Sequence, residues 1–111
     1  MSMSPPGSLE LAVLLAVVRL KDEAHGLAIR SDVSLRTQRD YSVGAIYTTL
    51  SRLEEKGAVT SRLSDPLPVR GGRSRREFRI TTAGRKAIYE AKRTSAQLWA
   101  GVSPIHRPEP A

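Results

Sequence analysis

Four arginines, Arg70, Arg73, Arg75 and Arg76, fall within seven residues of one another around the pair Gly71-Gly72. A guanidinium carries a rigid fork of donors that matches phosphate oxygens, and it is drawn to the negative floor of a narrow minor groove. Upstream, Thr48 and Arg52 are four residues apart, so on a helix a hydroxyl and a guanidinium would point the same way. Such groups hold phosphates and the edges of bases; they do not break covalent bonds.

Covalent chemistry has little material here. The chain has no cysteine and two histidines, His25 and His106, the second in a proline-rich end. A Ser-His-Asp or Cys-His arrangement has almost no material to work with, and the set gives no recognisable zinc-ligand spacing. Gly71-Gly72 runs into arginines and a strand, unlike a phosphate-cradling loop. No enzyme, cofactor or metal site is expected, and His25 beside Gly26 reads as a helix-start or interface residue.

The 111 residues fit one small domain and carry 18 basic against 11 acidic side chains, a net charge of +7. The excess is unevenly placed. Residues 1–35 hold three basic and four acidic groups, residues 36–80 ten and five, and residues 81–111 five and two. Positive charge therefore accompanies the candidate binding groups, which points to a polyanionic partner. The longest apolar run, Leu11 to Val18, is far shorter than the ~20 residues of a membrane span. Met1 to Ser8 lacks the basic start of a secretory signal, so a cytoplasmic protein with no membrane partner is expected.

The elements that must position these groups can be traced from spacing. Ser8 is placed to cap a helix from Leu9 to Leu20, with Leu11, Leu14, Leu15 and Val18 on one stripe and Leu9, Val13, Ala16, Val17 and Leu20 on another. A helix apolar around most of its circumference needs cover on most sides, and a second chain is expected against Leu11, Leu14 and Leu15. His25-Gly26 opens a weakly patterned helix to about Arg36, and polar Thr37 to Tyr41 reads as a turn. Ser42 then caps the clearest helix, in which Val43, Ile46, Leu50 and Leu53 share the buried face and Lys56-Gly57 marks the end.

Projection at about 100° per residue turns Gly44, Ala45, Thr48, Ser51 and Arg52 away from that face. Small side chains let a helix approach the floor of a DNA major groove, leaving Thr48 and Arg52 to contact bases. Ser42, Gly44, Tyr47 and Ser51 are expected nearer the sugar-phosphate backbone, with the Tyr47 ring on the flank. The RNA major groove is too deep and narrow for this, so double-stranded DNA is the expected partner.

Val59 to Leu63 and Phe78 to Ile80 are strand candidates on either side of the arginine-bearing turn. Thr81 is placed to cap a last helix whose stripe, Gly84, Ala87, Ile88, Ala91, Thr94, Ser95, Leu98 and Val102, runs near heptad spacing. A terminal helix cannot bury such a stripe alone. Ile88, Ala91, Ser95, Leu98, Trp99 and Val102, together with Leu11, Leu14 and Leu15, are therefore the expected seam of a homodimer. Trp99, the one tryptophan, reads either as an anchor of that seam or as a platform for a small aromatic effector. Residues 1–8 and the proline-rich residues 103–111 are expected to be disordered.

His25-Gly26, Gly44-Ala45-Ile46-Tyr47, Arg52-Leu53-Glu54-Glu55-Lys56-Gly57, Gly71-Gly72-Arg73 and Thr81-x-x-Gly84-Arg85, in that order, resemble the PadR-type transcriptional regulators over about residues 9 to 102. The resemblance implies a winged helix-turn-helix, mainly α, with three N-terminal helices, a two-stranded β-hairpin wing and one C-terminal helix. It also implies a homodimer joined partly through that helix, most often a repressor, and it is similar to compact members without a separate C-terminal effector domain. The expected units are a DNA-binding domain over residues 9–80 and a dimerisation helix over 81–102, acting on a pseudo-palindromic operator. The sequence departs from the commoner pattern at Leu27, where Tyr often follows His-Gly, and at Thr48, where Pro often follows Tyr. The resemblance therefore carries no base-by-base operator preference.

Overall fold

The computed structural model describes residues 3–65, 74–106 and 108. Its elements are α1 Ser8–Leu20, α2 Gly26–Thr37, α3 Val43–Glu55, β1 Val59–Leu63, β2 Arg76–Ile80 and α4 Thr82–Trp99, with one 3₁₀ turn at Lys21–Glu23. This is the expected mainly α winged helix-turn-helix. The turn bearing Arg70 and Arg73 lies outside the described residues.

The first three helices close on one core. Val13, Leu14, Ala16 and Val17 of α1 meet Ile29 and Val33 of α2 and Ile46, Leu50 and Leu53 of α3, while Val59 and Phe78 of the hairpin cover the open side. Burying each large aliphatic side chain contributes roughly 1.5–3 kcal/mol. Packing of this kind, more than intrinsic propensity, holds helices of only 12 or 13 residues.

α2 has a weak apolar pattern because polar bonds do much of its anchoring. Asp32 receives the Arg19 guanidinium from α1 and the Arg36 guanidinium from its own helix. Arg30 Nε donates to the Tyr41 carbonyl at 2.7 Å, fastening the turn that leads into α3. Leu35, which shares no clean face with Ile29, is 80% exposed. Gln38 in the left-handed region, at φ 56°, ends the helix.

β1 and β2 pair antiparallel, Val59 with Ile80 through Leu63 with Arg76. A further rung, invisible in the sequence pattern, comes from Ala24-His25: the Phe78 N–H donates to the Ala24 carbonyl at 2.8 Å, and His25 bridges Glu77. Beyond the hairpin, Thr81 Oγ1 accepts the Gly84 N–H at 3.0 Å and donates to the Gly57 carbonyl at 2.6 Å. α4 therefore starts directly on the beginning of β1. A Cβ at Gly84 would collide with the Ala58 carbonyl oxygen.

Several expectations are corrected. Leu14, assigned to the dimer seam, is fully buried in its own core. It lies round from Leu11 and Leu15 towards the inward arc of Val13, Ala16 and Val17, so no surface of it faces outward. Gly7, not Ser8, is the N-cap of α1, and its N–H donates to Glu10 Oε1 at 3.1 Å. Val43 is 39% exposed, and the buried arc of α3 is shifted round the helix to include Thr49, whose hydroxyl donates to the Ala45 carbonyl at 2.8 Å. α4 ends at Trp99 because Ala100 turns extended and Gly101 takes φ 79°, which leaves Val102 beyond the helix. Met3 packs against the core, and Pro5 and Pro6 lie along a groove beside α4.

Candidate nucleic-acid interface

α3 separates its residues as projection predicts, with one shift. Ser42 Oγ accepts the Ala45 N–H at 3.1 Å, which satisfies an otherwise free amide of the first turn. Ile46, Thr49, Leu50 and Leu53 face inward, while Val43, Gly44, Tyr47, Thr48, Ser51 and Arg52 are exposed along the outer side. Ala45 is half-buried at the boundary. The outer surface is short-chained at the N-terminal end and cationic one turn further on, a shape that permits close approach to a groove floor.

Tyr47 lies over the start of α2. A Cβ at Gly26 would run into the ring and hydroxyl of Tyr47, so the glycine makes room for that ring, which stays 41% exposed. Beside it, His25 caps α2, its Nδ1 lying 3.4 Å from the Ala28 amide nitrogen. His25 Nε2 lies 3.1 Å from Arg75 Nη1. Burial and, second, the Arg75 charge hold the His25 pKa below its ordinary value.

The structure thus brings the base of the wing against the helix-turn-helix. Arg75 and Ser64 continue the hairpin past the strands: the Ser64 N–H donates to the Arg75 carbonyl at 2.7 Å and the Arg75 N–H to Ser64 Oγ at 2.8 Å. Arg76 Nη1 donates to Ser61 Oγ at 2.9 Å, and Ser61 Oγ donates to Glu54 Oε2 at 2.7 Å. Arg76, expected to hold a phosphate or the minor groove, is also tied through Nη1 and Ser61 to the C-terminal end of α3. Arg70 and Arg73 lie outside the described residues. His25 and Gly26 were visible as a helix start, but their contacts with Arg75 and Tyr47 join residues far apart in the chain.

The expected seam residues divide. Leu11, Ile88 and Ala91 are half-buried, whereas Leu15, Ser95, Leu98 and Trp99 are exposed, Leu98 by 74% and Trp99 by 60%. α1 and α4 enclose a groove of about 730 Å³ lined by Leu11, Leu15, Arg85, Ile88, Tyr89, Ala91, Lys92, Ser95, Ala96 and Trp99. From Lys92 to Trp99 every residue of α4 is exposed. Among the described residues there is no cluster of three or more histidine, aspartate or glutamate side chains placed to hold a metal, and no helix is long and apolar enough to cross a membrane.

Residues 14–90 match the family model described as the transcriptional regulator PadR-like family. The chain is 38% identical over 77 residues to transcriptional regulator Rv3488 of Mycobacterium tuberculosis, a stretch covering 69% of this chain and 67% of that protein. A PadR-like transcriptional regulator from Bacillus cereus superposes with a TM-score of 0.68 at 21% identity, over 85% of this chain and 86% of that one. A PadR-like transcription factor from Bacteroides fragilis gives a TM-score of 0.66 at 20% identity, over 81% and 82%. At these identities the superpositions speak for the fold.

Proposed function

Since this chain belongs to the PadR-like family of transcriptional regulators and is not an enzyme, we propose that it represses transcription as a homodimer on a pseudo-palindromic DNA operator. The observation that carries the reading is the outer side of α3, where Gly44, Thr48 and Ser51 stand clear of the core with Arg52 at their end. The two copies of α3 enter successive major grooves, about 34 Å apart. Thr48 and Arg52 contact base edges. Ser42, Gly44, Ala45, Tyr47 and Ser51 lie against the backbone, and Arg75 and Arg76 hold flanking phosphates, as do Arg70 and Arg73 by sequence alone. A bound dimer blocks the DNA it covers, which is the simplest route to repression.

The groove between α1 and α4, with the exposed stripe of α4 beside it, is the proposed dimer seam. A second reading comes from the same place: the exposed rings of Tyr89 and Trp99 on one wall suit a planar aromatic effector. Tryptophan fluorescence against a panel of planar compounds tests it, and the absence of any saturable change removes it.

The main experiment selects bound sites from random duplex DNA with the wild type and two classes of variant. Symmetric half-sites one helical turn apart are expected. Arg75→Ala weakens binding to all sequences alike and lowers the slope of log affinity on log salt by about 0.9 per lost phosphate contact. Thr48→Ala and Arg52→Ala change which site is selected, each good base contact being worth about 1–3 kcal/mol. Equal behaviour of the two classes would show that reading and clamping are wrongly assigned.

A further inference from the structure

The His25 ring touches two N–H donors but, when neutral, has only one nitrogen able to accept. Nδ1 faces the Ala28 amide at 3.4 Å, a long distance for a hydrogen bond, while Nε2 faces Arg75 Nη1 at 3.1 Å. The two bonds are therefore alternatives. With the proton on Nδ1, the ring accepts from Arg75 and α2 loses its side-chain cap. With the proton on Nε2, the cap is complete and an N–H confronts the guanidinium. The shorter Nε2 contact places the free protein nearer the first arrangement.

Arg75 is held in place independently of this choice. Its backbone is paired with Ser64 in both directions, so only its side chain answers to the ring. Among the described residues, two other charged groups face the ring: Glu23 from the 3₁₀ turn and Glu77 from β2, both favouring its protonated form. In the free protein burial and, second, Arg75 outweigh them and hold the His25 pKa below its ordinary value.

We propose that His25 is a positioning residue for DNA binding, a shared acceptor whose tautomer couples the wing to the helix-turn-helix. In the free protein Nε2 keeps the Arg75 guanidinium against the start of α2. When a DNA phosphate takes that guanidinium, the ring proton passes from Nδ1 to Nε2 and Nδ1 is given to Ala28. Wing engagement thereby completes the cap of the helix whose first residue, Gly26, supports the Tyr47 ring of α3. The inference rests on the proposed role of Arg75 as a phosphate contact.

Nitrogen-resolved NMR of the imidazole rings tests it, with exposed His106 as the internal reference. In the free wild type the unprotonated nitrogen of His25 is expected to be Nε2. Arg75→Ala, with no DNA present, should move it to Nδ1, and saturating duplex DNA should do the same in the wild type. A His25 tautomer unchanged in Arg75→Ala overturns the shared acceptor without reference to DNA. A tautomer that responds to Arg75→Ala but not to DNA overturns the coupling, and DNA affinity of Arg75→Ala then tells whether the phosphate reading failed with it.

His25→Asn keeps an acceptor near the Nδ1 position and none at Nε2. It should fold with wild-type stability, while the several-fold slowing of Ala28 amide exchange expected on DNA binding is lost. Persistence of that slowing in His25→Asn would sink the proposal.

Discussion

Replacing Gly84 with alanine should destabilise the protein, against the usual rule for helices. In an exposed helix interior the change from glycine to alanine stabilises by up to about 1 kcal/mol. Here the new methyl would run into the Ala58 carbonyl oxygen and lie 2.8 Å from Ile80 Cγ1. The carbonyl has little freedom to turn, because its oxygen accepts the Thr81 N–H at 3.0 Å. Thr81 in turn is held by its hydroxyl to Gly57 and Gly84. Relief therefore requires α4 to shift as a body. Overpacking costs about 1–3 kcal/mol, and with backbone on one side of the clash the upper end applies, leaving a net loss of about 2 kcal/mol after the gain in propensity. For a domain of this size that is a fall in Tm of roughly 8–16 °C. Urea unfolding followed by circular dichroism should show a lower midpoint with an unchanged slope. A Gly84→Ala midpoint equal to or above wild type would refute the reasoning that α4 is seated on β1 through this glycine.

Gly44→Ala is the contrasting case: the added Cβ meets only Ser42 Oγ at 4.0 Å, so it should stabilise the fold by up to about 1 kcal/mol while weakening DNA binding, measured by unfolding and by gel shift on one sample. Asp32 and Glu10 are both held below the ordinary carboxylate range, chiefly by hydrogen bonds from Arg19 and Lys56 respectively. The unfolded chain then binds more protons in acid, so stability present at neutral pH is lost as pH falls below about 4.5 towards the folded values. Asp32→Asn should flatten the pH dependence of the urea midpoint in that window, and an unchanged slope would show that the Arg19 contact does not matter in solution. Leu98→Glu, at a site 74% exposed in the single chain, should yield folded monomers in sedimentation; an intact dimer would count against the seam.

The parts of the fold legible in the sequence are those set by local spacing. α3 could be drawn from Ser42 to Gly57 because a cap, a four-residue apolar rhythm and a terminal glycine lie in one short window, and the Thr81 cap of α4 was visible for the same reason. Val43 was misplaced because a β-branched apolar residue at a helix start fits the rhythm whether or not anything covers it, whereas Thr49 hides its hydroxyl in its own helix and can occupy the core. Leu14 was misplaced because α1 is apolar on nearly all sides, so spacing alone cannot tell the inward arc from the outward one. The contacts that build the site, Gly26 under Tyr47 and His25 against Arg75, join residues 21 and 50 positions apart, where composition carries no signal of pairing.

α1 is the element through which the two proposed activities meet. Its inward arc is packed against α3, and the outward residues Leu11 and Leu15 line the groove beside α4. Glu10, near the start of α1, is bonded to Lys56 Nζ at the end of α3 at 2.7 Å. A partner seated in that groove would therefore press on a helix that touches α3 along both its core face and its C-terminal end. Close-packed interiors transmit such displacement because side chains have no free volume into which to yield. In the proposed dimer, the spacing between the two copies of α3 would then be set by how α1 sits between α3 and the seam. Substitutions at Leu15 would alter the preferred half-site spacing without touching a group that contacts DNA.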